Sequence, residues 1–220
     1  MKIFKIRLKT LGLATVGWSH PVVAKADIVL ARKYNYRGGY TVYIPGSSFK
    51  GALRSSASRI AEAYGFASCG ETLPGRLHPL DSSEVGFDTC SVCHVFGYPG
   101  RGSSKIYVDD LEPEDEEVMT YRVTYVGLDD HTLTRSEHKL YTVEVIPPDT
   151  VFRGSIEIED SLGREAVKLL MLALAELRLG RFGKNAAIDL MIAEGLDPLK
   201  EMLGGEAARY LEGLGRWVWG

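Results

Sequence analysis

Three cysteines and two histidines lie close together near the middle of the chain. Cys90 and Cys93 are separated by two residues, a spacing that lets two thiolates bind one tetrahedral metal ion. Cys69 and His78 add two further soft ligands within the same 25 residues. An odd number of cysteines does not form a disulfide framework, so in a reducing compartment the pattern favours a metal over redox chemistry. We expect zinc bound by Cys69, His78, Cys90 and Cys93, with His94 as the alternative to His78.

The segment around these ligands, residues 65–104, is rich in glycine and contains every cysteine of the chain. It is therefore expected to be an inserted subdomain. A closed set of four ligands would be structural and would hold the insertion together. The alternative is that the three residues are ordinary reduced cysteines with no metal.

Charge is distributed unevenly along the chain, whose net charge is −3. Residues 1–60 contain 11 Lys or Arg and a single acidic residue, Asp27, whereas residues 61–120 contain 3 Lys or Arg and 12 acidic residues. A basic segment on a mildly acidic protein is typical of a local polyanion site. The alternative is that these cations pair with acidic residues elsewhere in the fold.

The clearest helix pattern begins after Pro45-Gly46, and its apolar residues recur at spacings of three and four. Ser47 or Ser48 can cap this helix, which is expected to reach Tyr64. Lys50 and Arg54 lie four residues apart and therefore share one face. Free amides, a positive dipole end and two cations predict a phosphate site, with RNA the favoured ligand.

Two other segments combine cations with aromatic or glycine residues. The first suits ribose, phosphate and base contacts, or is a surface hairpin whose tyrosines cover the core; it contains Arg32, Lys33, Tyr34, Tyr36, Arg37 and Tyr40. The second is the glycine-punctuated loop of residues 180–185, which contains Arg181 and Lys184. We expect these cations to contact RNA, together with four residues of the helix; the full set is Arg32, Lys33, Arg37, Ser47, Ser48, Lys50, Arg54, Arg181 and Lys184.

The remaining pattern predicts an α+β fold. Residues 2–9 alternate with period two, which places Phe4, Ile6 and Leu8 on a core face, and the strand is expected to continue to Val16. Strands over 118–126 and 140–158 enclose a polar stretch that contains Asp129, Asp130 and His131, which is expected to be an exposed hairpin. A buried helix over 165–177, a strand near 187–191 and a helix over 198–213 follow. This order is that of a ferredoxin-like, or RRM-like, unit.

Four of these features follow one another in the order of a known family. They are the basic first strand ending at Ser19-His20, the run Ile44-Pro45-Gly46-Ser47-Ser48-Phe49-Lys50-Gly51, Cys90-Ser91-Val92-Cys93 leading into Phe96-Gly97, and the glycine loop at 180–183. The chain thereby resembles the RAMP superfamily of CRISPR RNA-binding proteins, and most of all the repeated backbone subunit of type III effector complexes of the Csm or Cmr type. The resemblance extends from Ile3 to about Ile192.

This resemblance implies one RAMP domain over residues 1–220, with the insertion at 65–104, a β-hairpin insertion, and a C-terminal helical extension at 193–220. It implies binding of CRISPR RNA and target RNA, stacking with copies of the same chain and with other effector subunits, and a role in antiviral defence. In this subfamily an aspartate before the Ile-Pro-Gly-Ser-Ser motif serves metal-dependent cleavage of target RNA, and Asp27 occupies that loop. Its neighbours, Lys25-Ala26-Asp27-Ile28-Val29, differ from the glycines and the Asp-Asn step usual there.

The chemistry required of Asp27 is simple. A carboxylate among cations can hold Mg²⁺ or another divalent ion beside a phosphate, while the 2′-hydroxyl of the RNA serves as nucleophile. Two alternatives stay open: a structural RNA-binding subunit without catalysis, and a free-standing processing endoribonuclease in which His20 acts as general acid or base. His20 is otherwise expected to donate a hydrogen bond to phosphate.

No stretch of the sequence has the roughly 18 consecutive apolar residues that span a bilayer. The alternating pattern after Met1 is also unlike a secretory signal peptide. We therefore expect a cytoplasmic protein without a membrane partner.

Overall fold

The computed structural model describes residues 1–17, 26–35, 38–70, 90–98, 102–128, 135–184 and 186–219. In chain order the strands are β1 (Lys2–Thr10), β2 (Arg32–Asn35), β3 (Gly39–Val42), β4 (Ile106–Val108), β5 (Glu112–Pro113), β6 (Tyr121–Leu128), β7 (Arg135–Val145), β8 (Val151–Ile158) and β9 (Ile188–Glu194). The helices are α1 (Gly46–Ile60), α2 (Ser91–Phe96), α3 (Arg164–Leu177), α4 (Leu196–Leu203) and α5 (Gly205–Leu214).

The main sheet is antiparallel, with the strand order β4-β8-β1-β9, and β5 also pairs with β8. Its central strand β1 alternates as its sequence predicts. Phe4, Ile6 and Leu8 are buried in the core, while Lys5 and the other cations face the open side. The sheet and its helices confirm the expected mixed helix-and-sheet class.

The strand expected to continue to Val16 ends earlier, at Thr10. A bend at Leu11-Gly12 follows, and Ala14 then forms an isolated antiparallel bridge to Ile146. The apolar pattern beyond Thr10 therefore belongs to a connecting segment that packs against the end of β7.

Helices α1 and α3 pack together, and the buried side chains of both belong to the same core as β1. Phe49, Leu53 and Ala57 of α1 are fully buried at the predicted spacing, which confirms the helix. Gly46 lets its first turn approach β4, because an added Cβ would lie 2.2 Å from the carbonyl oxygen of Val108. Tyr64, expected within α1, lies instead in a separate 3-10 turn and is exposed.

Two hairpins accompany the main sheet. Strands β2 and β3 pair with each other, and β6 and β7 form the longer ribbon that the polar stretch at 129–134 predicted. Asp129, Asp130 and His131 lie outside the described residues. The β6–β7 ribbon is joined to the loop that precedes β2 by a parallel bridge between Ile28 and Val143.

The single helix expected over residues 198–213 is two helices, α4 and α5. The break falls at Gly204, whose φ of +69° lies in the left-handed region that favours glycine. None of the described helices is long and apolar enough to cross a bilayer.

A buried ion pair joins β9 to the last described residues. Asp189 is fully buried, and its Oδ1 lies 2.9 Å from Nε of Arg178 at the end of α3. Asp189 Oδ2 accepts hydrogen bonds from the amides of Val218 and Trp219, and Arg178 donates to the carbonyl oxygens of Gly213 and Arg216. The pair therefore holds the segment after α5 against the sheet.

Burial alone would raise the pKa of Asp189, but hydrogen bonds from the amides of Trp219, Leu190 and Val218 lower it on balance. Replacing Asp189 by alanine leaves Arg178 buried without its counterion. We expect Asp189→Ala to lower the free energy of unfolding by about 3–5 kcal/mol in urea titrations at pH 7. Asp197→Ala, which removes an exposed carboxylate from α4, should change it by less than about 0.5 kcal/mol.

The pH dependence of this effect has a defined sign. Because the pKa of folded Asp189 is lowered, its contribution is present above the ordinary aspartate pKa of about 3.9 and is lost as pH falls through the folded-state value. The difference between wild type and Asp189→Ala should therefore shrink in urea titrations below pH 4. An equal difference at pH 7 and pH 3 would contradict this assignment.

Candidate nucleic-acid interface

The amides in the first turn of α1 are mostly engaged within the protein: those of Ser48 and Phe49 donate to the carbonyl oxygen of Pro45. Pro45 occupies the N-cap position, so neither Ser47 nor Ser48 caps the helix as expected. The amide of Gly46 instead donates to Oδ1 of Asp110 at 2.9 Å. The helix start is thus stabilised by an acidic residue from the β4–β5 connection, which sequence periodicity gave no means to place.

Lys50 lies on the second turn of α1 and is half-buried. Burial and the nearby charge of Arg54 lower the pKa of its ammonium group. Among the described residues no carboxylate pairs with it. A desolvated cation beside a second cation would be stabilised by an anion. The phosphate contact expected of Lys50 stays a prediction.

Arg54 has its described contacts inside the protein. One guanidinium nitrogen donates to the carbonyl oxygen of Gly97, and another lies 3.0 Å from Sγ of Cys93. Its Nε is buried without a hydrogen-bond partner among the described atoms. Arg54 therefore links α1 to α2 and to the cysteines, and its expected phosphate contact stays a prediction.

The cations of β2 are paired with acidic residues. Arg32 makes a two-pronged ion pair with Glu144 of β7, and this hydrogen bonding raises the pKa of Arg32 and lowers that of Glu144. Lys33 Nζ lies 2.7 Å from Glu112 and 5.1 Å from the centre of the Tyr43 ring. The RNA contacts predicted for Arg32 and Lys33 are untested, and Arg37 lies outside the described residues.

The tyrosines of the β2–β3 hairpin do not cover the core. Tyr34 and Tyr40 are 65% and 74% exposed, and their rings meet edge to face with centroids 5.7 Å apart. The alternative of a surface hairpin whose tyrosines cover the core therefore does not hold for these two rings. Tyr36 lies outside the described residues.

The open face of the main sheet carries Lys5, Arg7 and Lys9 of β1, and each of these three has a partner. Lys5 Nζ lies 2.7 Å from Glu194, and Arg7 is paired through two nitrogens with Glu114. Lys9 donates to the carbonyl oxygen of Trp219 at 3.1 Å and lies over the ring of Trp217. Lys5 and Arg7 thus pair with acidic residues from elsewhere in the fold, as the alternative interpretation of the charge pattern expected, whereas Lys9 does not.

The glycine loop after α3 approaches the segment that follows β1. Gly183 has a φ of +54°, and an added Cβ would lie 2.3 Å from the carbonyl oxygen of Thr15, so this position requires glycine. The approach places Lys184 Nζ 4.1 Å from the centre of the Tyr141 ring. Arg181, in the same loop, is exposed.

Asp27 is exposed and is attached to the β6–β7 ribbon. Its Oδ2 accepts a hydrogen bond of 2.6 Å from the amide of Thr142, and its own amide donates to the carbonyl oxygen of Thr142 at 2.9 Å. Asp27 therefore has a described structural role. His20 lies outside the described residues.

The three cysteines converge on one point between α1 and α2. Their sulfur atoms all lie within 4.8 Å of one another, and those of Cys69 and Cys93 are 3.8 Å apart. The amides of Cys69 and Cys93 both point at Sγ of Cys90, at 3.4 Å. Hydrogen bonding with Cys90 and burial raise the pKa of the Cys93 thiol.

This donor set fits a metal ion. A tetrahedral ion with metal–sulfur bonds of about 2.3 Å separates its sulfur ligands by ~3.8 Å. The amide donors and Arg54 would also offset the negative charge of the thiolates. His94 does not join the group, since its Nε2 lies 3.2 Å from Nζ of Lys105, and His78 lies outside the described residues.

Two residues of this region escaped the sequence-based prediction. Glu144 is a lone carboxylate within an apolar run, Val143-Glu144-Val145-Ile146, which is a signal for a paired buried acid. Tyr141 pairs with Tyr125 across the ribbon, which only the register of β6 and β7 reveals.

Known proteins now identify the class to which this arrangement belongs. A family model described as the RAMP superfamily matches residues 32–188, a range that includes α1, all three cysteines of the cluster, the long hairpin and the glycine loop. The chain therefore belongs to the RAMP superfamily. No curated protein sequence matches it significantly.

Its fold is similar to that of a chain in a solved Type IV-B CRISPR Complex. The TM-score is 0.60 at 16% sequence identity, and the match covers 86% of this chain and 90% of the other. At this identity the likeness concerns the fold.

Proposed function

We propose that this protein is a CRISPR RNA-binding backbone subunit of a multi-subunit antiviral effector complex. The observation that carries the proposal is its membership of the RAMP superfamily, joined to a fold shared over most of its length with a chain of a CRISPR complex. Copies of the same chain, other effector subunits and a target RNA are its proposed partners.

The finer assignments belong to the same proposal. The strand order β4-β8-β1-β9, with α1 and α3 packed together, supports a ferredoxin-like core. Residues 1–220 form one domain, with 65–104 as a metal-bearing insertion and 193–220 as an extension. The sequence motifs support a type III complex, whereas the solved relative comes from Type IV-B.

The RNA backbone is proposed to lie along the cations that have no carboxylate partner in the described part of the chain. Lys50 on α1 and Lys184 on the glycine loop meet this condition, whereas Lys5, Arg7, Arg32 and Lys33 are paired. Backbone contacts of this kind position the RNA and do not read its bases. The binding should therefore be independent of guide sequence.

One experiment tests the class and the residue assignment together. The tagged chain is purified from its native cells, and the RNA that accompanies it is sequenced and quantified per protein. We expect short RNAs that share a repeat-derived end. Lys50→Gln should lower the RNA recovered, whereas Lys5→Gln, the same charge change at a residue paired with Glu194, should not.

Salt dependence measures the same contact on purified protein. Loss of one phosphate contact should reduce the slope of log affinity against log salt by about 0.7 for single-stranded RNA. Recovery of mixed cellular RNAs without a common end would contradict the CRISPR assignment. Equal slopes for Lys50→Gln and Lys5→Gln would contradict the role of Lys50.

Metal-dependent cleavage of target RNA is the catalytic part of the proposal, with Asp27 as the ligand of Mg²⁺ or another divalent ion. Its carboxylate is exposed and has one oxygen engaged by Thr142, which leaves a hard oxygen ligand available. A bound ion would stabilise the charge that develops on the phosphate, with the RNA 2′-hydroxyl as nucleophile. The Thr142 bond equally supports the alternative of a subunit without catalysis.

Two substitutions at Asp27 separate these roles. Asparagine can still accept the Thr142 amide but lacks the charge, whereas alanine loses both. If Asp27 holds the ion, Asp27→Asn should slow target cleavage by the assembled complex about 100-fold or more while RNA binding is kept.

Asp27 would be a structural residue if Asp27→Asn cleaves target RNA normally and if only Asp27→Ala loses hydrogen-exchange protection at the Thr142 amide. Cleavage of precursor RNA in the presence of a chelator would instead support the processing ribonuclease in which His20 acts.

The metal at the cysteines is proposed to be zinc, with His78 as the fourth ligand. Elemental analysis of purified protein should find about one zinc per chain. Cys93→Ser and His78→Ala should lower this content, whereas Ser91→Ala on the same short helix should not. His94→Ala should also keep the zinc, because His94 faces Lys105. A zinc content far below one per chain in the wild type would remove this assignment.

A further inference from the structure

The Arg54 side chain reaches from α1 to the cysteine cluster, although its place in the sequence predicts a phosphate contact. One guanidinium nitrogen donates to the carbonyl oxygen of Gly97, and another lies 3.0 Å from Sγ of Cys93. Its Nε is buried and has no hydrogen-bond partner among the described atoms. A contact with phosphate would require the guanidinium to leave both of these partners. The orientation in the structure therefore favours the sulfur.

The two groups that Arg54 contacts belong to one short element. Cys93 lies within α2, and Gly97 caps the C-terminus of this helix, where its amide donates to the carbonyl oxygen of Cys93 at 2.9 Å. Helix α2 is also joined to the start of β4, because the amide of Lys105 donates to the carbonyl oxygen of Val95 at 3.1 Å. The carbonyl oxygen and the sulfur are thus fixed relative to each other, and they hold the guanidinium in one orientation.

The charge of a loaded metal site gives this cation a role. Cysteine binds a metal as a thiolate, so three thiolates around one divalent ion leave an excess of one negative charge. Cys90 and Cys93 are each 2% exposed, so water solvates this charge poorly. Two backbone amides at 3.4 Å supply partial positive charge to Cys90, whereas Arg54 supplies a full positive charge to Cys93.

We propose that Arg54 is a positioning residue of the metal site, which orients the Cys93 sulfur and neutralises the excess charge of the bound thiolates. The inference rests on the proposed metal site and adds a further residue to it. It also moves Arg54 from the expected RNA contacts to the metal, so that Lys50 is the cation of α1 proposed to hold phosphate. Groups that hydrogen-bond to metal ligands commonly change the metal affinity by about 10- to 100-fold when they are removed.

Metal titration of the purified full-length protein tests this role, with zinc affinity measured by competition with a chromophoric chelator. Arg54→Gln can still donate to a carbonyl oxygen but has no charge, and it should bind zinc about 10- to 100-fold more weakly than wild type. Arg54→Lys should recover part of this loss, because it restores the charge without the two-pronged donor. Arg59→Gln is the matched control on the same helix, since Arg59 is paired with Glu176 of α3, and it should bind zinc like wild type.

Cobalt substitution gives a readout that a purely structural role would not change. Thiolates bound to Co²⁺ produce a sulfur-to-metal charge-transfer band, and hydrogen bonds to the sulfur influence its energy. Loss of the Arg54 donor raises the energy of the sulfur lone pairs. The band of cobalt-saturated Arg54→Gln should therefore shift to longer wavelength, whereas that of Arg59→Gln should not.

Two results would refute the role of Arg54. The first is an Arg54→Gln protein whose zinc affinity and cobalt band both equal those of Arg59→Gln. The second applies also if Arg54→Gln does not fold: an Arg54→Lys protein that matches wild type in both measurements would show that the two-pronged contact is not needed.

RNA binding separates this inference from the proposed function. With zinc at saturation, Lys50→Gln should lower the slope of log affinity against log salt for single-stranded RNA. An equal fall in Arg54→Gln would place Arg54 on a phosphate and overturn the inference, while the RNA binding would stand. A wild-type protein without the thiolate–cobalt band would end the metal assignment and this inference together, and the proposed RNA binding would again be unaffected.

Discussion

The Glu144 carboxylate joins three segments that are distant in sequence. It accepts two hydrogen bonds from Arg32, one from the amide of Leu30 and one from the Thr120 hydroxyl. Through these bonds the β6–β7 ribbon is held against β2 and against the loop that carries Asp27. The hydrogen bonds from Arg32 and from the Leu30 amide lower the pKa of Glu144 although burial alone would raise it, so the carboxylate stays charged. Removing either member of the ion pair would therefore leave an uncompensated charge. The placement of Asp27 at Thr142 depends on this junction.

Charge pairing separates the basic residues of the open sheet face from those of α1 and the glycine loop. Cations on the open sheet face stabilise the fold, since they meet Glu194, Glu114 and the C-terminal tryptophans. Lys50 on α1 and Lys184 on the glycine loop have no carboxylate partner among the described residues. The local potential therefore comes from few residues, and counting basic residues overestimates the size of an anion site. Arg54 belongs to neither group, because it faces the cysteine sulfur atoms.

The periodicity of apolar residues predicted the elements whose positions depend on burial in the core. The core face of β1, the apolar face of α1 and the long buried helix α3 followed from local sequence, because each element must cover the same core. The cysteine cluster followed in part, since three of the four proposed ligands could be placed. Ion-pair partners could not be predicted, because Arg32 and Glu144 are 112 residues apart and no local rule connects them. Gly204-Gly205 indicates the break between α4 and α5, but the apolar spacing across residues 198–213 favoured one continuous helix.

The two strands that pair with β1, β8 and β9, lie late in the chain. Lys2 pairs with Ile158, and Thr10 pairs with Ile188. During synthesis the apolar side chains of β1 must therefore wait until most of the polypeptide has been made. Strand pairings of such long sequence separation slow folding, and until they form the apolar surface of β1 is exposed to aggregation. The alternating lysines and arginine of β1 would keep the waiting strand soluble, so the charges that later become paired also protect the nascent chain.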